Sequence, residues 1–258
     1  MTTASALRRL PLAVTAAALL AACTSSGSAG ASGTAPVPSG MPTAVAKLST
    51  FISSAAQRVT SAHLHVGIKL SAEQLSGRGA ERLSDGEVVA LDLTANLAGA
   101  GDIHVVYVNG TTYATLPASM DSSGKYLIVT SDSPNPVIHQ LAPYLGAALA
   151  AVSPGRLGAI ARVAPSVDVQ GTRSVAGVQA THYSLEVDPT KLPSDLQDAL
   201  PVSGQPLPLD LYVARDGKLV EASLHLNVQG QDIPIDVKFS DYNAPVSITP
   251  PTPGQIGH

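Results

Sequence analysis

Apolar positions along this chain recur with two different periods, and the switches between them mark its elements. From Pro42 onward, Val45, Leu48, Ile52, Ala55, Ala56 and Val59 follow at steps of three and four, which places them on one face of a helix. The step then becomes two. Leu64, Val66, Ile68 and Leu70 alternate with His63, His65 and Lys69, the pattern of a strand with one buried face. The same alternation runs from Glu87 to Leu97, and again on either side of Asn109-Gly110, a strong two-residue hairpin signal. Tyr126 to Val129 reads as a further short strand. A helical block follows from 136 to 164. Asn135-Pro136 opens it, Ile138, Leu141, Leu145, Leu149 and Val152 form its stripe, Pro143 should kink it, and Ser153-Pro154 starts a second helix. Strand patterns return at 167–172, 179–187, 209–215, 219–228 and 233–239, with Asp216-Gly217 and Gly230 as turns and a short helix around 194–200.

Strands in runs joined by hairpins imply an antiparallel sheet, with the helices grouped on one side of it. The expected class is therefore α+β, one domain spanning 43–249. Alternation points one set of side chains inward: Leu64, Val66, Ile68, Leu91, Leu93, Val105, Tyr107, Leu185, Val187, Leu211, Val213, Leu224 and Leu226. Helices at 44–61 and 136–164 can close over these positions as a solid core. A strongly curved sheet would instead let them line a cavity. The pattern alone does not separate the two.

The ends of the chain read differently. Arg8 and Arg9 precede an apolar, Ala/Leu-rich run from Leu10 to Ala22, shorter than the roughly 20 residues a membrane span needs. The run ends in Leu20-Ala21-Ala22-Cys23, similar to the lipobox of bacterial lipoproteins, and Cys23 is the only cysteine of the chain. Residues 1–22 are thus expected to be a lipoprotein signal peptide and Cys23 the lipidated first residue of the mature chain. Two or three acyl chains hold a protein on a membrane, each buried CH₂ contributing about 0.8 kcal/mol. Residues 23–42, rich in Ser, Gly, Ala, Thr and Pro without charge, cannot bury enough surface to fold and read as a flexible tether. Residues 250–258, with Pro250, Pro251 and Pro253, read as a disordered tail.

Composition excludes more than it identifies. The 258 residues are 45% hydrophobic and 13% charged, with a net charge of −4 and no basic run, a poor match to nucleic acid. Aromatic residues make up 3%, so any apolar site is built from aliphatic side chains. Ser122-Ser123-Gly124-Lys125 matches S-x-x-K formally, but its partner motifs are missing. His63 and His65 share a strand face at a spacing that can ligate zinc, yet Lys69 continues that face, as expected of a solvated surface. His104, His139, His182 and His225 stand alone in sequence, and carboxylates such as Asp85, Glu87, Asp188 and Asp210 have no evident partner. No nucleophile and base are nominated, and neither a metal nor a cofactor is expected.

The second half carries a resemblance. Gly171-Thr-Arg-Ser-Val-Ala-Gly177-Val-Gln-Ala-Thr-His182-Tyr183, Leu211-Tyr-Val-Ala-Arg-Asp-Gly217-Lys-Leu-Val-Glu, and Val237-Lys-Phe-Ser-Asp-Tyr242 resemble the strand–turn–strand signatures of the actinobacterial LppX/LprAFG lipoproteins. The lipobox, polar tether, amphipathic helix, His65-Val-Gly-Ile-Lys and Asn109-Gly-Thr-Thr-Tyr113 fit in order. Members often carry Trp where this chain has Tyr126 and Tyr212. The resemblance implies a half-barrel sheet with helices on its concave side, similar to periplasmic lipoprotein carriers. It also implies an apolar cavity for a multi-acylated glycolipid or phospholipid moved across the cell envelope, with the membrane and a membrane transporter as candidate partners. The alternative is an envelope lipoprotein of structural or signalling role with a filled core.

Overall fold

The computed structural model describes residues 36–70, 73–97, 100–133, 135, 137–139, 142, 149, 152–199, 204–228 and 231–257. Signal peptide, Cys23 and nearly all of the tether lie outside them, as do Pro143 and Gly230. Thr34–His258 forms one compact unit.

Eleven strands make one open sheet in the order β6-β5-β4-β3-β2-β1-β11-β10-β9-β8-β7. They are β1 Ser61–Leu70, β2 Glu73–Ser84, β3 Glu87–Leu97, β4 Gly101–Val108, β5 Thr111–Thr115, β6 Leu127–Ile128, β7 Asp168–Val175, β8 Val178–Val187, β9 Leu207–Ala214, β10 Leu219–Val228 and β11 Gln231–Ser240. Every pairing is antiparallel. Both halves are meanders whose order follows the chain. The first and last strands then pair, His63 opposite Ser240 and Ile68 opposite Ile235, which joins the halves into one sheet. Asn109-Gly110 turns the chain with φ of +54° and +77°, the left-handed pair that a two-residue hairpin demands.

Among the described residues the helices with defined bounds are α1 Val45–Ala56, α2 Pro154–Arg162 and α3 Ser194–Ala199, while Leu141 and Leu145 of the expected stripe lie outside those residues. Ser153 caps α2 through its side chain, with Pro154 at the first helical position. α1 and α2 cross closely. A Cβ at Gly158 would lie 2.8 Å from Ser53 Oγ, and Ser49 Oγ donates to the Gly158 carbonyl at 2.8 Å inside the contact. Both helices bury apolar side chains (Leu48 and Ile52; Leu157, Ile160 and Ala161) in the same cluster as one face of the sheet.

Two sequence expectations need correction. Residues 73–84 form a full central strand that the apolar pattern passed over, because its inward positions are Leu75, Gly77, Gly79, Glu81 and Leu83 rather than an aliphatic series. The C-terminal stretch is not a free tail. Ile248 is buried over the outer face against Ala90, Val106 and Val108, and at the Tyr126–Ile256 bridge the Tyr126 N–H donates to the Gln255 carbonyl while the Gly257 N–H donates to the Tyr126 carbonyl. Apolar contact and strand-like pairing offset the ordering cost that a Pro-rich composition suggested would prevail.

Candidate functional site

Strand register settles which side chains share a face. One row of paired residues runs Ile103, Ala95, Gly77, Val66, Val237, Ala222, Leu211, Tyr183, Val169, from β4 across to β7 without a charged group. Parallel to it, Ala114, Val105, Leu93, Gly79, Leu64 and Phe239 form a second row, and Leu75, Ile68, Ile235, Leu224, Leu209 and Leu185 a third. Tyr107 pairs with Leu91, Val213 with Leu219, Val187 with Leu207, and Leu226 with Ile233. Every inward residue that alternation nominated thus lies on this face. All belong to one hydrophobic cluster, Ile68 and Tyr107 at its partly buried margin.

Two features of this face could not be read from apolar spacing. Gly79 sits where β3 leans over β2: a Cβ there would fall 2.1 Å from the Asp92 carbonyl oxygen. Only a residue without a side chain permits that approach. Two polar groups are also enclosed without partners. Both carboxyl oxygens of Glu81 and the hydroxyl of Tyr183 are buried and unbonded. Desolvation pushes the Glu81 carboxyl well above the usual carboxylate range, and burial pushes the Tyr183 phenol up to about 12.

Hollows bounded wholly by described residues lie elsewhere. One of about 380 Å³ is lined by Val178, Val220, Phe239 and Tyr242 with Asp216 and Lys218; another of about 230 Å³ lies between Met41, Thr172, Thr181 and Arg215. Neither touches a nominated inward position.

Among solved structures, the Mycobacterium tuberculosis lipoprotein LppX matches with a TM-score of 0.53 at 16% identity, over 80% of this chain and 98% of its own. The chain shares its fold with LppX. LprF from Mycobacterium bovis aligns over 81% of this chain and 99% of its own at 17% identity, with a TM-score of 0.48. No family model and no curated protein sequence matches the chain. The LppX likeness bears on architecture: an open antiparallel sheet with helices, as the sequence motifs implied.

On the LppX-like sheet, the side opposite the helices collects the polar residues that stood alone in sequence. Four histidines each meet an aspartate: His63 and Asp241 at 3.2 Å, His104 and Asp92 at 2.8 Å, His182 and Asp210 at 2.8 Å, His225 and Asp232 at 3.1 Å. His63 and His65 gain no third ligand, and no group of three or more His, Cys, Asp or Glu able to hold a metal occurs among the described residues. Tyr126 extends one pair, its hydroxyl 2.6 Å from His104 Nδ1. Residues 122–125 are exposed in a loop, where Ser123 rather than Ser122 engages Asp121. Glu87 meets Arg156, and Asp188 meets Lys191. Such long-range and turn pairings carry no periodic signal, so spacing could not have found them.

Proposed function

We propose that this chain is an extracytoplasmic lipoprotein, anchored in the cell membrane through Cys23, that holds the acyl chains of a glycolipid or phospholipid and carries them through the cell envelope. The observation that carries this reading is the uncharged aliphatic row from β4 to β7, facing helices in a fold shared with LppX. A lipid with two or three long chains presents dozens of methylenes to water, each costing about 0.8 kcal/mol. A surface of Leu, Ile and Val shelters them without selecting their identity, because burial and dispersion are non-directional. The sheet would bend toward the helices where β3 leans over Gly79, making the helical side its concave side.

The carrier reading puts lipid entry at the sheet end where β1 and β10 finish and β2 and β11 begin. There Ile68, Leu75 and Ile233 are half-buried, whereas Leu211, Leu224 and Tyr183 deeper in the sheet are almost wholly covered. That complete burial also favours a second reading, a filled core in a non-transporting envelope protein. Native mass spectrometry of residues 34–258, produced in its host and again after incubation with phospholipid vesicles, separates them. The carrier reading expects a non-covalent lipid adduct; lipid-free protein in both preparations overturns it in favour of the filled core.

A further inference from the structure

On the outer face, β2, β1 and β11 bring three basic side chains into one row. His65 lies opposite Arg78 on one side and opposite Lys238 on the other. Neighbouring strands are about 4.8 Å apart, so the backbone positions of Arg78 and Lys238 stand about 10 Å apart on either side of His65. Arg82 continues the patch along β2 and Lys69 along β1; all five residues are exposed. Elsewhere on the surface, Arg156, Arg173, Lys191 and Lys218 each have a carboxylate within 3.7 Å. Lys69, Arg78, Arg82 and Lys238 have none among the described residues.

Carboxylates flank the strip, and most are engaged: on β3 Asp92, opposite Ala80 between the positions of Arg78 and Arg82, meets His104, and Asp241 meets His63. Outward positions of β1 from His63 to Lys69, and of β2 from Ser76 to Ser84, include no carboxylate. On β11, Asp232 meets His225, and Asp236 sits one outward position beyond Lys238, opposite Gly67 and Ser223. Glu221, opposite Lys238 on β10, is paired with Arg173 at 3.7 Å. In a chain of net charge −4, four fixed cations on a central sheet face without a direct ion pair among the described residues are an exception that an anionic partner would relieve. The hollows bounded wholly by described residues are not lined by these side chains, which lie on the open face of the sheet, a surface suited to an extended anionic partner.

We propose that the outer face of β2, β1 and β11 docks on the anionic phospholipid headgroups of a membrane through Arg78 and Lys238, supported by Lys69 and Arg82; the choice of a membrane as occupant rests on the lipid-carrier reading above. Residues 34–258, the self-contained unit, are cosedimented with vesicles of phosphatidylcholine alone and with vesicles containing one quarter phosphatidylglycerol. The expected result is at least fivefold enrichment on the anionic vesicles, weakening as salt rises. The double variant Arg78→Gln/Lys238→Gln should bind about tenfold less, since each cation near an anionic surface contributes separately. Arg78→Lys/Lys238→Arg and the remote Lys191→Gln/Arg215→Gln should bind as the parent does, which separates charge at this site from folding and from total charge. Equal binding to both vesicles, or full binding by the Gln double variant, overturns the proposal. So does displacement by millimolar inorganic phosphate at constant ionic strength, which would indicate a small-anion site. Lipid content of the same samples by native mass spectrometry keeps the two readings apart: cargo without docking defeats only the docking proposal, and docking without cargo only the carrier.

Discussion

Glu81 is the residue least expected in its position, a carboxyl without a partner among aliphatic side chains. Its raised folded-state pKa makes the sign of its linkage definite. Below the unfolded carboxylate value both states are protonated and the group costs little. As pH rises above that value, the unfolded chain releases its proton first, so stability falls with pH until the folded group also ionises. Glu81→Met should therefore unfold at a higher temperature than the parent at pH 7, with the gap narrowing toward pH 4.5, as differential scanning calorimetry can measure. A gap unchanged across that range would mean that Glu81 has a partner in solution. Spacing could not reveal this residue as buried, because a glutamate at an alternating position reads as an outward one.

Among the elements, β2 shows how a strand can be hidden from a hydrophobic pattern. Its neighbours supply the apolar surface, and β2 supplies room: a Cβ at Gly79 would fall 2.1 Å from the Asp92 carbonyl oxygen, whereas one at Gly77 would lie 3.2–3.3 Å from Ala95 Cβ, the Thr94 carbonyl oxygen and Leu93 Cδ1. The two glycines differ in how far a methyl group must push its neighbours. Gly79→Ala forces β3 to shift and should cost about 2–3 kcal/mol or more in urea denaturation, while Gly77→Ala, which asks for a few tenths of an ångström, should cost less, about 1 kcal/mol. Equal losses would show that the close approach at Gly79 is not a structural constraint. The strands with strict alternation, β1, β3, β8, β9, β10 and β11, were legible because one of their faces is a continuous aliphatic stripe. The strap of residues 245–257 was not, because Val246 and Ile248 are isolated among prolines and polar residues and their site on Ala90, Val106 and Val108 exists only once β3 and β4 have paired.

At the scale of the whole molecule, the nominated inward residues divide by depth. Ile68, at the partly covered end, is expected to lie where a lipid would enter, and Leu211, wholly buried, within the packed interior. Ile68→Arg should keep the parent's circular dichroism spectrum and lose most uptake of fluorescent phospholipid, whereas Leu211→Arg should fail to fold, an unpaired buried charge being far costlier than the stability of a domain can absorb. Uptake by Ile68→Arg equal to that of the parent would remove this end as the entrance.

The alternation of side chains determined by itself most strands, their hairpins and the inward set, since the strand period of two and the left-handed demand of Asn109-Gly110 are local properties of the backbone. Which strands became neighbours across the two halves was decided only in three dimensions. The pairing of β1 with β11 joins residues 167 to 177 positions apart, which no local pattern encodes. That one ladder brings Lys238 beside His65 and, through β2, Arg78. A chain with no basic run in sequence thereby acquires a cationic face, because charge acts through space and the sheet sets the spacing.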